Sequence, residues 1–445
     1  MDMPDVPPDR TTNKLLGPWM CLTLVVGNMI GSGVFLLPAS LAPLGWNAVF
    51  GWIVTILGGM ALAWVFASLA GAVPAAGGPY AYTRAAFGPA AAFVVAWSYW
   101  VSLWIGNAAI AVAGVSYLGM FAPELMARPG MPVILTALSL WTLTGVNCWG
   151  VRAAGGVQLV TTLLKLLPLV AVILLGALLL WRGGSGALLP FQADSISAGA
   201  IGAATTLTLW GLLGLESATV PATKVENPGR NIPRATLVGT ALTGLIYLLA
   251  CSAVTLLSDP IATARSDAPI ADFVAASLGP GAGIAVALFA AISAFGALNG
   301  WILLQGEMPW AMASDGVFPR WLARLSRRGT PVRAHLLSSV LATLVLLSNY
   351  SSTAGEFFTF AVLLATTAVL VAYATCAAAL LRLAAEGRMK AGAGLCLVTL
   401  LAGFYALWAI AGAGRSAILW GLLLLVIGLP VHLAMRRLAP EQVPE

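Results

Sequence analysis

The sequence predicts an all-α integral membrane protein of twelve transmembrane helices, built as two inverted repeats of five with helices 1 and 6 broken. Three observations carry that prediction. Of 445 residues, 60% are hydrophobic and 9% are charged, where a soluble domain carries about 25% charged residues. The apolar residues gather into twelve runs, each near the ~20 residues that cross a bilayer. The first and sixth runs are interrupted near their middles by glycine.

In chain order the spans lie near 15–41, 47–72, 89–121, 131–150, 157–181, 197–222, 234–257, 280–310, 334–350, 357–382, 391–412 and 415–435. A polar, proline-rich tail over 1–14 precedes them, and the apolar run behind it is too long for the core of a signal peptide. Span 1 contains Val25-Val26-Gly27-Asn28-Met29-Ile30-Gly31-Ser32-Gly33-Val34-Phe35. Gly31-Ser32-Gly33 is too flexible to hold a helix at a depth where the bilayer offers the backbone no other partner. Such a break is tolerated where it lines a cavity, and in transporters it marks a binding site. Span 2 is uninterrupted and reads as packing; the loop 74–82 and Arg84 follow it.

Span 3 carries Trp97, Tyr99, Trp100, Ser102, Trp104 and Asn107, and an asparagine at that depth needs a partner. Span 5 contains Lys165. Span 6 holds the second interruption, Leu209-Trp210-Gly211-Leu212-Leu213-Gly214-Leu215-Glu216-Ser217, and residues 226–234 read as a turn from their proline and glycine content. Span 8 contains Asn299, Gly300, Trp301 and Glu307. Two breaks, each in the first member of a set of five spans, divide the chain into a first repeat over 15–185 and a second over 197–385. Spans 11 and 12 over 390–437 and a tail over 438–445 complete it.

Charge sets the orientation. Seventeen of the 22 Lys and Arg residues fall in loops on one side and four on the other, with Lys165 inside a span. By the positive-inside rule both termini are cytoplasmic. The basic excess is thus topological and gives no reason to invoke nucleic acid. The five cysteines are scattered without ligand spacing and read as small core residues. His335 and His432 near span ends read as interfacial, so no metal site is expected.

The half-helix beginning at Gly33 presents unpaired N–H groups suited to a carboxylate, and the half-helix ending near Trp210 presents carbonyls suited to an ammonium group. Together they fit an α-amino acid or a similar zwitterion. Glu216 and Lys165 are the candidate proton carriers, because idle charges inside a membrane are rare. Glu307 stands between a cavity role and an interfacial one. Trp210 and Trp301 are candidates to stack on a substrate.

Several blocks carry a family resemblance: GNMIGSGVFLLPASLA, GGPYAYTRAAFGP, YWVSLWIGN, TLWGLLGLESATV, VENPGRNIPRAT, and Gly300-Trp301 followed by SDGVFP. In these the chain resembles the amino acid-polyamine-organocation superfamily, and within it the bacterial basic amino acid/polyamine antiporter branch typified by arginine/agmatine antiporters. The resemblance implies the leucine-transporter fold, a multi-pass protein of the bacterial inner membrane, no cofactor, and a homodimer. It sets Ile30, Gly31, Ser32 and Gly33 at the carboxylate site. Met29 and the backbone around Trp210 and Leu213 then meet the amino group, Trp301 stacks on the side chain, and Asn107 lies near its far end. Tyr80 and Tyr99 match gating tyrosines, and Glu216 matches the carboxylate linked to pH sensing.

Departures from that branch bear on the substrate. A plain alignment sets Leu364 where arginine/agmatine antiporters have a serine near the guanidinium, and Ala372 where they have a gating tyrosine of span 10. Lys165, absent there, looks like the span 5 lysine of proton-coupled or sodium-independent transporters of the wider superfamily. In sodium-coupled relatives of the fold a sodium ion sits at that place.

The expected function is therefore secondary active transport of amino acids or related amines by alternating access. It is sodium-independent and works by exchange or proton coupling, with the substrate, protons and membrane lipid as partners. An arginine/agmatine-type or polyamine antiporter is the alternative. A lysine in the ion position and a less polar distal pocket point toward a neutral or less polar amino acid. An intramembrane enzyme is the remote reading, because no metal-ligand histidine pair or pair of aspartates stands within the spans.

Overall fold

The computed structural model describes residues 16–31, 33–119, 121–266, 268–348, 354–412 and 415–438. Ser32 and both tails, Leu438 apart, lie outside the described residues. Fourteen helices matter here. They are α1 (Pro18–Met29), α2 (Gly33–Leu41), α3 (Trp46–Ala72), α4 (Pro79–Phe87), α5 (Pro89–Gly119), α6 (Met131–Trp149) and α7 (Val151–Gly183). They continue as α8 (Ala198–Leu209), α9 (Pro228–Leu257), α10 (Pro280–Ser314), α11 (Val332–Ser348), α12 (Ala354–Ala385), α13 (Ala393–Gly412) and α14 (Arg415–Leu438).

Among the described residues eleven helical segments are long and apolar enough to cross a membrane, the first being α1 and α2 taken together. α11 is apolar but only 17 residues long. The chain is a multi-pass membrane protein. Its outer surface shows this directly: Leu57, Trp64, Leu138, Leu163, Leu174, Phe404 and Leu419 are all exposed, as lipid-facing side chains must be.

Two groups of helices pack among themselves. α1, α3, α8 and α9 form one, with extensive contact between α3 and α9. α5, α6, α10 and α11 form the other, centred on α5 against α10. α7 lies along α1, α9 and α10, and α12 lies along α5. α13 and α14 pack at the periphery against α12, α3 and α5.

Three local expectations are corrected. Span 5 begins at Val151, six residues earlier than hydropathy suggests, because arginine and glycine lower hydropathy without ending a helix. The stretch 226–234 is mostly helix: Asn227 takes a left-handed conformation, Pro228 opens α9, and Pro233 sits in its second turn. Proline at the first position of a helix loses no intrahelical bond. His335 is fully buried, since Gly306 leaves room for its ring: a Cβ there would come within 2.2 Å of it.

Candidate functional site

Span 1 breaks where glycine predicts it. α1 ends at Met29, Ile30 is extended at φ −81° and ψ 92°, and α2 starts at Gly33. Ending a helix inside the bilayer leaves its last carbonyls without intrahelical partners. The structure accounts for each of them. Lys165 Nζ donates to the carbonyls of Gly27 (2.7 Å) and Ile30 (2.6 Å). Trp301 Nε1 donates to Asn28 O at 3.1 Å, and the Tyr247 hydroxyl to Met29 O at 2.7 Å. Ser293 Oγ reaches Gly31 O at 3.2 Å. The ammonium group of α7 thus fills the cage of carbonyls that the break opens, and it is fully buried there.

Span 6 breaks over a longer stretch. α8 gives way to a 3₁₀ turn at Trp210–Leu212, Leu213 is extended, and Gly214 takes φ 103°. That conformation requires glycine, and a side chain there would also meet the Trp301 ring and Asn28. Short 3₁₀ turns at Ser217–Thr219 and Ala222–Lys224 lead on to α9. Asn28 Nδ2 donates to Ser217 Oγ at 2.8 Å and joins the two breaks. Behind them, Gln158 Nε2 reaches Asn28 Oδ1 at 3.4 Å, and Asn299 Nδ2 donates to Ala154 O at 2.9 Å.

A cavity opens beside the second break; the unfilled space in it and at its mouth, open solvent included, comes to ≈ 310 Å³. Ser102, Leu103, Gly106 and Ile110 of α5 form one wall; Ala365 and Val369 of α12 form another. Trp210, Leu213 and Trp301 complete it, and both tryptophans keep part of their surface exposed. The first break reaches the cavity through Gly33: a Cβ there would lie 2.6 Å from Trp210, so glycine lets the indole rest against the start of α2.

Three residues past Leu213 of the cavity wall lies a fully buried carboxylate, Glu216. Tyr99 OH donates to Glu216 Oε1 at 2.6 Å, and Tyr373 OH donates to Glu216 Oε2. The same Tyr373 oxygen accepts from Gly214 N at 3.3 Å. Three spans meet at this point. Towards the end of the bundle that carries Leu16, backbone hydrogen bonds and ion pairs join several elements. Gly77 N donates to Val220 O at 2.9 Å, and Leu16 exchanges backbone bonds with Lys224 O and Glu226 N at 3.0 Å each. Lys224 Nζ pairs with Glu307 Oε1 at 2.5 Å, both side chains buried, and lies 5.3 Å from the centre of the Trp310 ring. Arg84 pairs with Asp315 at the exposed edge of the same end.

Of the residues singled out from sequence, Trp210, Leu213 and Trp301 meet at the cavity, with Gly33 against Trp210. Met29, Ile30 and Gly31 present carbonyls that Tyr247, Lys165 and Ser293 already bond. Ser32 lies outside the described residues. Asn107 is fully buried and donates to Gln305 Oε1 at 2.7 Å, so it serves a polar network with Ser339 rather than the cavity wall. Leu364 is buried but does not line the cavity; Ala365, one residue on, does. Glu307 pairs with Lys224, in neither of the roles considered for it. Tyr80 stands apart from the cavity beside Arg84 and Asp315, where burial and then Asp315 push its phenol up from the ordinary value.

The sequence reading missed Tyr373, setting Ala372 in its place. The signal was available, since Tyr373 is the one tyrosine of span 10 and a register error of one residue hides it. Gln158, seven residues before Lys165 and therefore on the same face of α7, was overlooked as well.

Opposed helix breaks around a small cavity within a bundle of apolar helices define a membrane carrier architecture. A family model described as "Amino acid permease" matches residues 16–411, and the chain belongs to that family, within the amino acid-polyamine-organocation superfamily. It is 34% identical over 349 residues to the cadaverine/lysine antiporter of Escherichia coli K12, covering 77% of each chain. It is 30% identical over 430 residues to the putrescine transporter PotE of the same organism, covering 94% of this chain and 95% of the relative. A putrescine transporter PotE of Haemophilus influenzae is likewise 30% identical over 427 residues.

Proposed function

We propose that the protein is a secondary active transporter of amino acids or related amines, sodium-independent, working by exchange or proton coupling. The observation that carries this is the Lys165 ammonium on the carbonyls of Gly27 and Ile30. A fixed cation already satisfies the carbonyl cage at the first break, so the site has no need of a metal ion from solution. Relatives named as a cadaverine/lysine antiporter and as putrescine transporters support the substrate class.

In this reading the substrate's carboxylate meets the N–H groups of Gly31, Ser32 and Gly33, and its ammonium group meets the carbonyls released at Trp210 and Leu213. Trp210 and Trp301 flank the side chain. Tyr99 gates the inner side of the cavity with Tyr373 and Glu216, and Tyr80 gates further in. Lys165 or Glu216 carries the proton. Spans 1, 2, 6 and 7 rock against spans 3, 4, 8 and 9; the two packing groups in the fold support this division. α11 serves as the ninth of twelve spans, the halves 15–185 and 197–385 are inverted repeats, and both termini face the cytoplasm from a bacterial inner membrane. The protein is not an enzyme, and a homodimer is its working form.

Reconstitution tests the proposal. Vesicles containing the purified protein, loaded with unlabelled amino acids and amines, are expected to take up the labelled compounds in sodium-free buffer. Uptake no greater than in protein-free vesicles, for every amino acid and amine tried, would sink it.

A further inference from the structure

The connection between α10 and α11 builds a charged surface away from the helix breaks. Arg320, Arg324, Arg327, Arg328 and Arg333 fall close together there, and all are exposed. Arg152, at the start of α7, is exposed as well. No Asp or Glu stands in 125–193 or in 316–355. Asp315, just before the connection, pairs with Arg84. Among the described residues, none of these arginines is in an ion pair.

The cluster is held in place. Ser326 N donates to Thr330 O at 2.8 Å and Gly329 N to Ser326 O at 3.0 Å, so a tight turn with Gly329 at φ 72° carries Arg327 and Arg328. Thr330 Oγ1 donates to Cys148 O at 3.1 Å, and Arg328 Nη1 to Trp149 O at 3.3 Å. These carbonyls are among the last of α6 and have no partner within the helix. The Arg328 guanidinium lies 4.2 Å from the centre of the Trp149 ring, and Arg333 Nη1 donates to Trp321 O at 3.3 Å. Each guanidinium has further N–H groups, in the planar fork that matches a phosphate.

Three lipid-facing rows end at this cluster. On α6 the row is Ile134, Leu138 and, at its foot, Trp149. On α7, Leu163 and Val160 lead down to Arg152, and on α11, Val340 and Leu336 lead down to Arg333. Steps of three and four residues keep each row on one helix face, and α6 packs against both α7 and α11. Trp149 and Trp321 are 66% and 47% exposed, as tryptophans at the boundary between hydrocarbon and water are. Lipid phosphates lie at that same level.

We infer that this cluster binds an anionic phospholipid, its phosphate held by Arg328, Arg333 and Arg152 while its acyl chains lie along α6, α7 and α11. Arginines on one side of a membrane protein also set topology, but topology needs only their charge. It asks neither that a guanidinium stack on an exposed tryptophan nor that arginines stand at the foot of lipid-facing rows.

The test is native mass spectrometry of the purified full chain in detergent, titrated with dioleoyl phosphatidylglycerol or dioleoyl phosphatidylcholine. The two share acyl chains and differ in net charge. Each guanidinium contributes a factor of about 5 towards an anionic surface, so the wild type is expected to bind phosphatidylglycerol at least ~10-fold more tightly than phosphatidylcholine. Arg328→Gln/Arg333→Gln is expected to weaken phosphatidylglycerol binding by at least ~10-fold. Arg230→Gln/Arg234→Gln removes as much charge from exposed positions on α9 and is expected to bind like the wild type. Equal affinity of the wild type for the two lipids, a comparison that needs no variant to fold, would overturn the inference. Equal losses in the two double variants would do so as well, by making net charge the cause. So would displacement of phosphatidylglycerol by an equal concentration of inorganic phosphate, which would make this a site for a soluble anion.

Discussion

Lys165 and Gly33 show how single residues hold the site open. Lys165→Met removes the donor from two buried carbonyls and leaves them short of a partner, a loss of roughly 1–3 kcal/mol. The expected outcome is a lower melting temperature in detergent and transport at least ~10-fold slower; an unchanged protein on both counts would show that Lys165 is idle. Gly33→Ala places a methyl group where the Trp210 indole rests. The ring must shift, and because it lines the cavity substrate affinity is expected to fall while the overall fold persists, as isothermal titration against the transported amino acid can establish. Both residues were legible in the sequence, one as a charge inside a span and the other as part of a glycine cluster. Tyr373 was missed through a register error of one residue, and only the fold shows that its hydroxyl meets a carboxylate 157 residues away.

At the scale of elements, the ion pair between Lys224 and Glu307 ties the turn after the second break to α10. From sequence, Lys224 reads as a loop charge and Glu307 as ambiguous. Only the fold shows that both are buried and joined, since 83 residues separate them and no local pattern links them. Lys224→Met leaves a buried carboxylate without its counter-charge and is expected to cost about 3–5 kcal/mol. Adding Glu307→Gln removes the stranded charge and should restore much of that loss. Thermal unfolding of the two single variants and the double variant measures it; equal, additive losses would show that the pair is not coupled. The spans themselves were nearly all legible, because a bilayer demands long apolar runs. The boundaries that slipped were those set by proline and glycine at helix starts, where composition suggests a turn and the backbone continues as helix.

For the whole molecule, the account joins three features: two facing breaks, a cavity beside the second whose described lining is mostly apolar, and a set of hydrogen bonds and ion pairs at the end that carries Leu16. Hydropathy and charge made the class of protein legible, but the chemistry of the cavity depends on which face of α5 and α12 turns inward. A one-residue shift along α12 replaces Leu364 by Ala365 as its lining. The central claim is that Lys165 occupies the ion place at the first break. The measurement that tests it most directly is amino acid counterflow by wild-type protein and by Lys165→Met, each assayed in sodium buffer and with choline in its place. The account predicts equal exchange by the wild type in both buffers and the loss of exchange in the variant. Wild-type exchange that requires sodium, or a variant that exchanges at the wild-type rate in choline, would contradict it.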